Sequence, residues 1–158
     1  MTQGRAAEVL EALSKRGWSI ATAESLTGGL LAAEIVGISG ASTHMRGGVI
    51  AYATDVKETV LGVDAHLLKE SGPVHPDVAE QMAVGVRRAL DSDVGLATTG
   101  VAGPLEQDGH PVGTVYVAVS TPDGCSVAAL DLDGDRAEIR AQSVDHALAL
   151  CLLALQAP

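Results

Sequence analysis

Short apolar runs alternate with helix-like segments through the first hundred residues of this chain, and this alternation restricts the possible folds more than any other feature of the sequence. Apolar residues recur at helical spacing in some segments and form short, uninterrupted runs in others. Such alternation is typical of a parallel sheet covered by crossover helices. The predicted segments, in chain order, are a helix through 6–13, a strand at 19–23, a helix at 26–36, a strand at 48–52, helical stretches around Lys57 and Leu67, a helix from Pro76 to Leu90 and a strand at 94–98.

The last third of the sequence has a different pattern. Strand-like runs at 115–120 and 126–132 flank the turn-forming segment 121–125, and this arrangement predicts a hairpin. Asp135 followed by Glu138 is a capping pattern that predicts the start of a final helix. Helix–strand alternation followed by a hairpin predicts an α/β domain with a mixed sheet.

Length and composition exclude several classes of protein. The 158 residues contain no repeat or linker, so we expect one domain over 1–158. Twenty acidic residues against ten basic ones give a formal charge of −10, and aromatic residues make up only 2%. A basic surface and a stacking platform for nucleic acid are therefore both missing. The longest apolar tract, 147–157, is too short to span a bilayer, and no signal-peptide core follows the N-terminus, so we expect no membrane partner.

The cysteines and histidines indicate the compartment and argue against a metal centre. Cys125 and Cys151 form no CxxC pair, and both lie in contexts that predict burial. We therefore expect free, reduced thiols and a cytoplasmic protein. The five histidines show no ligand spacing such as HxxxH or HExxH, so we expect no metal site, and no motif requires a cofactor.

Hydroxyl and glycine residues cluster in TAESLTGG, residues 22–29, between the first strand and the next helix. The unpaired amides of a helix start can hold an anion or an oxyanion, and Gly28 and Gly29 permit a ligand to approach closely. Serine and threonine are also the ordinary N-cap residues, and glycine can serve packing alone. Both interpretations stay open.

Two further polar positions follow predicted strands. If the strands at 19–23 and 48–52 belong to one right-handed crossover unit, their carboxyl ends share the edge where open α/β sheets bind ligands. Ser25 and Lys57 follow those ends. A Ser–Lys pair can catalyse acyl transfer when burial holds the lysine neutral. The alternative is a solvated lysine that pairs with Asp55 or Glu58, as is common for helix lysines.

A third strand end and the last helix complete the set of candidates. Thr99 and Gly100 lie in a glycine-rich turn that would be a third terminus at the same edge. Arg136 and Arg140 fall in the first turns of the final helix, where a guanidinium can bind a phosphate through two hydrogen bonds. They can equally offset the surrounding acidic residues, and the sequence favours neither interpretation.

Taken together, these segments resemble the CinA C-terminal domain family of nicotinamide-nucleotide amidases. The matching motifs follow the family's order across most of residues 19–142. The resemblance implies a three-layer α/β/α domain with a mixed, mainly parallel sheet, and the length of the chain predicts the stand-alone form. The motifs are AESLTGGLLA, GGVIAYATDVK, LGV, GPVHPDVAEQMAVGVR, TGVAGP, PVGTVYVAV and GDRAEIR.

The activity that this resemblance implies is deamidation of nicotinamide mononucleotide to nicotinic acid mononucleotide with release of ammonia. By resemblance Ser25 is the nucleophile and Lys57 is its base. Thr99 assists proton movement or holds the intermediate, and Arg136 binds the phosphate. Amides around Leu26 and Thr27 could stabilise the oxyanion. The residues expected to bind substrate are Thr27, Gly28, Gly29, Tyr52, Gly100, Arg136 and Arg140.

The role of Tyr52 and the nature of the partners are expected only in general terms. Tyr52 can pack on the pyridine ring or belong to the core, and both interpretations are open. The expected partner is a small-molecule nucleotide, and the resemblance also implies a homo-oligomer, with which the Ala/Leu-rich last helix is compatible.

The sequence departs from the family pattern at several positions. The family usually has Cys at Leu26, Ser-Asn at Ala53-Thr54 and Ser at His75, and its loop at 105–110 is usually glycine-rich and acidic and ends in Lys. His75 is either a poor helix cap or an added titratable group in the site. These departures leave two other functions open. One is a catalytically impaired domain that binds a nucleotide or a protein, and the other is a hydrolase for a different amide or ester.

Overall fold

The structure is a computed structural model that describes residues 2–158, and it contains a five-stranded sheet with helices on both faces. The strands lie in the order β2-β1-β3-β4-β5. Their bounds are β1 Ile20–Glu24, β2 Met45–Ile50, β3 Val94–Gly100, β4 Thr114–Thr121 and β5 Gly124–Asp131. The α-helices are α1 Thr2–Arg16, α2 Leu30–Val36, α3 Thr54–Thr59, α4 Ala65–Ser71, α5 Pro76–Leu90 and α6 Arg136–Gln156.

The sheet is mixed, as the sequence predicts. β1 pairs in parallel with both β2 and β3, whereas β4 is antiparallel to β3 and to β5. The register places Glu24 opposite Ile50 on one side and opposite Thr98 on the other. The carboxyl ends of β1, β2 and β3 therefore meet at one edge of the sheet, which is where open α/β sheets bind ligands.

Two apolar cores, one on each face of the sheet, make this a three-layer α/β/α domain. The first core lies under α1, α2 and α6 and contains Leu13, Ile35 and Leu148. The second lies under α4 and α5 and contains Leu68 and Met82. β1 contributes alternate residues to the two cores because successive side chains of a strand point to opposite faces. The predicted fold class is confirmed.

The element boundaries differ most where glycines interrupt a pattern. We expected the second helix to begin near residue 26, but α2 begins at Leu30. Gly28 and Gly29 have φ values of +55° and +105°, in the left-handed region that an α-helix cannot continue through. The residues between β1 and α2 therefore form a turn. β2 is also longer at its start than predicted, since the pairing of Ile20 with Met45 brings 45–47 into the sheet.

The predicted hairpin and the predicted cap of the final helix are confirmed, although both strands extend further into the turn than predicted. β4 and β5 form the hairpin, joined by a two-residue turn. Asp135 caps α6 through a complete capping box, in which its carboxylate accepts from the Glu138 N–H while the Glu138 carboxylate accepts from the Asp135 N–H. α6 is thereby fixed at the edge of the sheet where the three parallel strands end.

The prediction for one cysteine is wrong. Cys125 is exposed, because it lies on the outer strand β5, most of whose residues face solvent. Cys151 is buried in the first core, and both thiols are free. Among residues 2–158, no helix has both the length and the apolar character needed to cross a membrane.

Candidate active site

A cleft opens at the edge of the sheet where β1, β2 and β3 end, and its empty volume is about 570 Å³. All three strand ends and the start of α6 contribute to its wall, as the crossover topology predicts. The lining residues are Ser25, Leu26, Tyr52, Thr54, Lys57, Pro73, Val74, residues 99–103, Leu105, Gln107 and Arg136.

Ser25 and Lys57 meet inside this cleft. Ser25 follows β1 directly, and its side chain remains slightly accessible. Lys57, on α3, is one of the largest fully buried side chains, with 1% of its surface exposed. Its Nζ donates to Ser25 Oγ at 3.0 Å and to the carbonyls of Ala51 at 2.7 Å and Tyr52 at 3.3 Å. The alternative of a solvated lysine paired with Asp55 or Glu58 is therefore wrong.

Burial changes the acid–base properties of this lysine. Desolvation lowers the pKa of Lys57 from its ordinary value of 10.5 to about 8, since a low-dielectric environment disfavours the charged form. No carboxylate forms an ion pair with it anywhere in residues 2–158. An ammonium can donate to all three acceptors, whereas a neutral amine has a lone pair that can take a proton from Ser25. The pair can therefore generate a nucleophile near neutral pH.

Thr99 and Gly100 lie at the carboxyl end of β3, in the wall of the cleft. The Thr99 hydroxyl is buried and donates to the carbonyl of Pro73 at 2.8 Å. A Cβ at position 100 would lie 2.6 Å from the Thr114 carbonyl, so glycine lets β3 and β4 approach closely here. Both residues line the cleft.

Arg136 and Tyr52 form a polar pair at the mouth. Arg136 donates to the Gly103 carbonyl at 2.8 Å and to the Tyr52 hydroxyl at 3.2 Å. Tyr52 is 60% exposed, so the interpretation of Tyr52 as a core residue is wrong. None of the lining residues described is Asp or Glu, although the whole chain carries a charge of −10. Lys57 and Arg136 thus make the cleft a local cationic site in an acidic protein.

Comparison with known proteins identifies the family. The sequence profile of the CinA C-terminal domain matches residues 2–155. The chain belongs to the CinA C-terminal domain family.

Relatives of the CinA family resemble the chain in both sequence and structure. A CinA-like protein of Frankia casuarinae is 48% identical over 90% of this chain and 33% of its own length. A putative competence-damage inducible protein of Desulforamulus reducens is 48% identical over 89% of this chain and 34% of its own length. The chain therefore spans about one third of the curated relatives that it matches. A crystal structure of a CinA superfamily protein from Klebsiella pneumoniae has a TM-score of 0.94 at 31% identity and covers 98% of both chains.

Four of the positions at which this chain departs from the CinA pattern line the cleft. Leu26, Thr54 and two residues of the 105–110 loop, Leu105 and Gln107, line it. Ala53, His75 and the other four residues of that loop do not. The His75 Nδ1 accepts from the Asp77 N–H at 3.1 Å, so His75 caps α5. The departures therefore change the wall of the cleft and leave both Ser25 and Lys57 in place.

Four residues expected to bind substrate lie outside the lining of the cleft: Thr27, Gly28, Gly29 and Arg140. Thr27 is fully buried, and the Arg140 guanidinium donates to the carbonyls of Leu26 and Thr27 at 2.9 and 3.2 Å. The part of these four residues in substrate binding stays a prediction. The structure gives each of them a hydrogen bond within the turn after β1 or to it.

The sequence analysis missed Glu24. One of the two open interpretations was that the amides at the start of the next helix hold an anion, but the Glu24 carboxylate accepts from the N–H groups of Gly29, Leu31 and Ala32. The protein's own side chain therefore occupies this helix start. The available signal was an acidic residue at the end of a strand in which every residue is buried.

Proposed function

We propose that this domain hydrolyses the carboxamide of nicotinamide mononucleotide and forms nicotinic acid mononucleotide and ammonia. The observation that carries the proposal is the 3.0 Å contact between Ser25 Oγ and a buried Lys57 whose pKa is lowered to about 8. Such an amine can accept the hydroxyl proton near neutral pH, as general-base catalysis requires.

The reaction has two stages. Ser25 Oγ bonds to the carboxamide carbon while its proton passes to the neutral amine of Lys57. The lysine then protonates the amide nitrogen, the C–N bond breaks and ammonia leaves, with an acyl-enzyme on Ser25. Water adds to that ester, Lys57 accepts the water proton, and the C–O bond to Ser25 breaks to release the acid. The serine hydroxyl recovers its proton from Lys57.

The oxyanion formed in each stage needs hydrogen-bond donors close to the nucleophile. The N–H groups of Leu26 and Thr27 follow Ser25 in the turn, and within residues 2–158 neither donates to another protein group. Each such donor typically contributes a factor of ~10²–10³ to the rate. These amides are the donors that we assign to the oxyanion.

The cationic mouth of the cleft favours a substrate with a phosphate. Arg136 uses only part of its five N–H donors on Gly103 and Tyr52, and a guanidinium can bind a phosphate in a bidentate manner. Because no lining residue is acidic, nothing described in the cleft repels that charge. Tyr52, which is exposed beside Arg136, can cover the pyridine ring.

The test is incubation of the metal-free domain with nicotinamide mononucleotide, with the product identified by mass and ammonia measured separately. We expect turnover by the wild type and none by Ser25→Ala. Ser14→Ala is the matched control, because Ser14 is exposed on α1. Full turnover by Ser25→Ala would remove the mechanism.

Binding without turnover is a second candidate, because Leu26, Thr54, Leu105 and Gln107 change the wall of the cleft. Calorimetric binding of the nucleotide with no product after a long incubation would favour it.

The alternative of a hydrolase for another amide is tested with pyridine carboxamides that carry or lack a phosphate. Arg136→Gln should raise KM for the phosphorylated compounds only, if Arg136 binds the phosphate.

A further inference from the structure

Glu24 is a buried carboxylate that the proposed reaction does not use. It lies at the end of β1, immediately before Ser25, and only 1% of its surface is exposed. Its Oε1 accepts from the N–H groups of Gly29 at 3.2 Å and Leu31 at 2.8 Å, and its Oε2 accepts from Ala32 at 3.1 Å. The Gly29 N-cap of α2 supplies no side-chain cap, so Glu24 replaces it.

A chain of hydroxyl groups connects Glu24 to the backbone of Ser25. The Thr27 hydroxyl donates to Glu24 Oε1 at 2.6 Å and lies 2.8 Å from the Thr98 hydroxyl, which in turn accepts from the Ser25 N–H at 3.4 Å. A carboxylate can only accept, so the single proton of Thr27 is committed to Glu24. Thr98 must then donate to Thr27, and its lone pairs face the Ser25 N–H. Glu24 thus fixes the direction of every bond in the chain.

The turn that carries Ser25 is held from both sides. Glu24 accepts from the Thr27 hydroxyl and from the Gly29 N–H. The hydroxyl and the carbonyl of Thr98 both accept from the Ser25 N–H, the carbonyl at 3.1 Å. Arg140 holds the carbonyls of Leu26 and Thr27 from α6. Since these contacts fix the peptide planes of the turn, they also fix where Ser25 Oγ lies relative to Lys57.

We propose that Glu24 is a positioning residue for the Ser25 nucleophile, acting through Thr27 and Thr98 without touching the substrate. The inference rests on the proposed Ser–Lys mechanism but makes a separate claim. Breaking the hydroxyl chain should lower kcat by about 10- to 100-fold, because small misplacements of a reacting group cost factors of this size. KM should change little, since Arg136 and Tyr52 lie on other elements.

Two substitutions of Thr27 separate positioning from packing. Thr27→Val keeps the volume of this buried side chain and removes the hydroxyl, whereas Thr27→Ser keeps the hydroxyl and removes a methyl group. Positioning predicts that Thr27→Val loses at least about 10-fold in kcat and that Thr27→Ser stays close to wild type. A role in packing alone predicts the reverse order, and that order, or equal rates for Thr27→Val and wild type, would overturn the proposal.

A second readout does not depend on the identity of the substrate. An alkyl fluorophosphonate labels an active serine when Ser25 Oγ bonds to phosphorus, fluoride leaves and the hydroxyl proton passes to Lys57. The second-order labelling rate should fall in Thr27→Val and in Glu24→Gln, and Thr27→Ser should keep it. If the wild type is labelled but does not turn over the nucleotide, the proposed substrate fails and the labelling rates still decide the role of Glu24.

The control is Thr22→Val. Thr22 lies on β1 on the same face as Glu24, it is fully buried, and its hydroxyl has no hydrogen-bond partner in the described chain. This variant should keep the kcat and the labelling rate of the wild type. Circular dichroism confirms folding of each variant at the assay temperature. If Glu24→Gln does not fold, the comparison of the two Thr27 variants decides the question alone.

Discussion

At the residue scale, the chemistry depends on how a single lysine is solvated. Lys57 donates to two backbone carbonyls and to Ser25, and no carboxylate offsets its charge within the described chain. Desolvation is the cause of its lowered pKa, so the neutral base is available without a neighbouring cation. The sequence could suggest the pair, because both residues follow strands, but the burial of Lys57 depends on tertiary packing.

The pH dependence of the reaction follows from this pKa. If chemistry limits the rate, kcat/KM should rise with pH and level off above about pH 8, where Lys57 is neutral in the free enzyme. Lys57→Met should abolish turnover at every pH. Lys15→Met is the control, because Lys15 is exposed on α1 and forms a surface ion pair with Glu11. Initial rates measured from about pH 6 to 9 test this expectation, and a flat profile would contradict a lysine base.

The same lysine makes stability depend on pH in a defined direction. The pKa of Lys57 is about 8 in the folded state and 10.5 when unfolded, so the unfolded chain binds more protons between these values. The free energy of unfolding of the wild type, relative to Lys57→Met, should therefore rise through this window. The free energy of unfolding should rise by about 3 kcal/mol in total. The whole penalty for burying the charged lysine is present below about pH 8 and is lost as the pH approaches 10.5.

Denaturant unfolding at several pH values measures this difference. Subtracting the values for Lys57→Met removes the contributions of the other titrating groups, which the two proteins share. If the free energies of unfolding of the wild type and Lys57→Met differ by a constant amount from neutral pH to above the ordinary pKa of lysine, Lys57 is solvated in the folded protein.

At the element scale, the segment from β1 to α2 shows what sequence patterns can and cannot predict. The strand, the helix and the position of Ser25 between them follow from local patterns. The turn of four residues before Leu30 was missed, since hydroxyl residues and glycines suit both a helix start and a turn. The capping role of Glu24 depends on amides five to eight residues away, which no local pattern specifies.

Close packing between elements explains one glycine in α5. A Cβ at Gly85 would clash with the Leu61 carbonyl, so α5 can approach the loop between α3 and α4 only without a side chain here. Gly85→Ala should therefore destabilise the domain by ~3 kcal/mol, as overpacking against a backbone does.

Gly4→Ala is the matched control for this substitution. Gly4 is an exposed residue of α1, and no atom of the described residues lies within 4 Å of the added methyl group. Alanine has the higher helix propensity, so this variant should be more stable by up to ~1 kcal/mol. Thermal unfolding of both variants tests the pair. Equal effects of the two substitutions would mean that helix propensity, not the contact with Leu61, governs position 85.

At the scale of the whole molecule, the topology could be predicted from the sequence better than the binding surface. Right-handed crossovers leave few ways to arrange three parallel strands, so the edge that carries Ser25, Lys57 and Thr99 was predicted. The wall of the cleft was not, because Pro73, Leu105 and Gln107 come from connections whose paths depend on the complete fold. Their sequence carries no periodic signal that would place them.

The distribution of charge is also a property of the whole molecule. The chain carries a formal charge of −10, while the charged residue types that line the cleft, Lys57 and Arg136, are both basic. Acidic residues elsewhere therefore repel one another across the surface, and an excess of one sign destabilises the compact state. Salt screens such repulsion between exposed charges over about 10 Å at ~0.1 M.

Added salt should therefore stabilise this protein at neutral pH. Raising sodium chloride from about 0.02 to 0.2 M should increase Tm, because the Debye length shortens roughly threefold over this range. A rise of about 2–4 °C would correspond to ~1 kcal/mol for a domain of this size. The same titration near the isoelectric point of about 4.7 is the control, since the net charge is then close to zero and the increase should vanish. An equal increase at both pH values would indicate a general effect of the salt on apolar burial in place of screened repulsion.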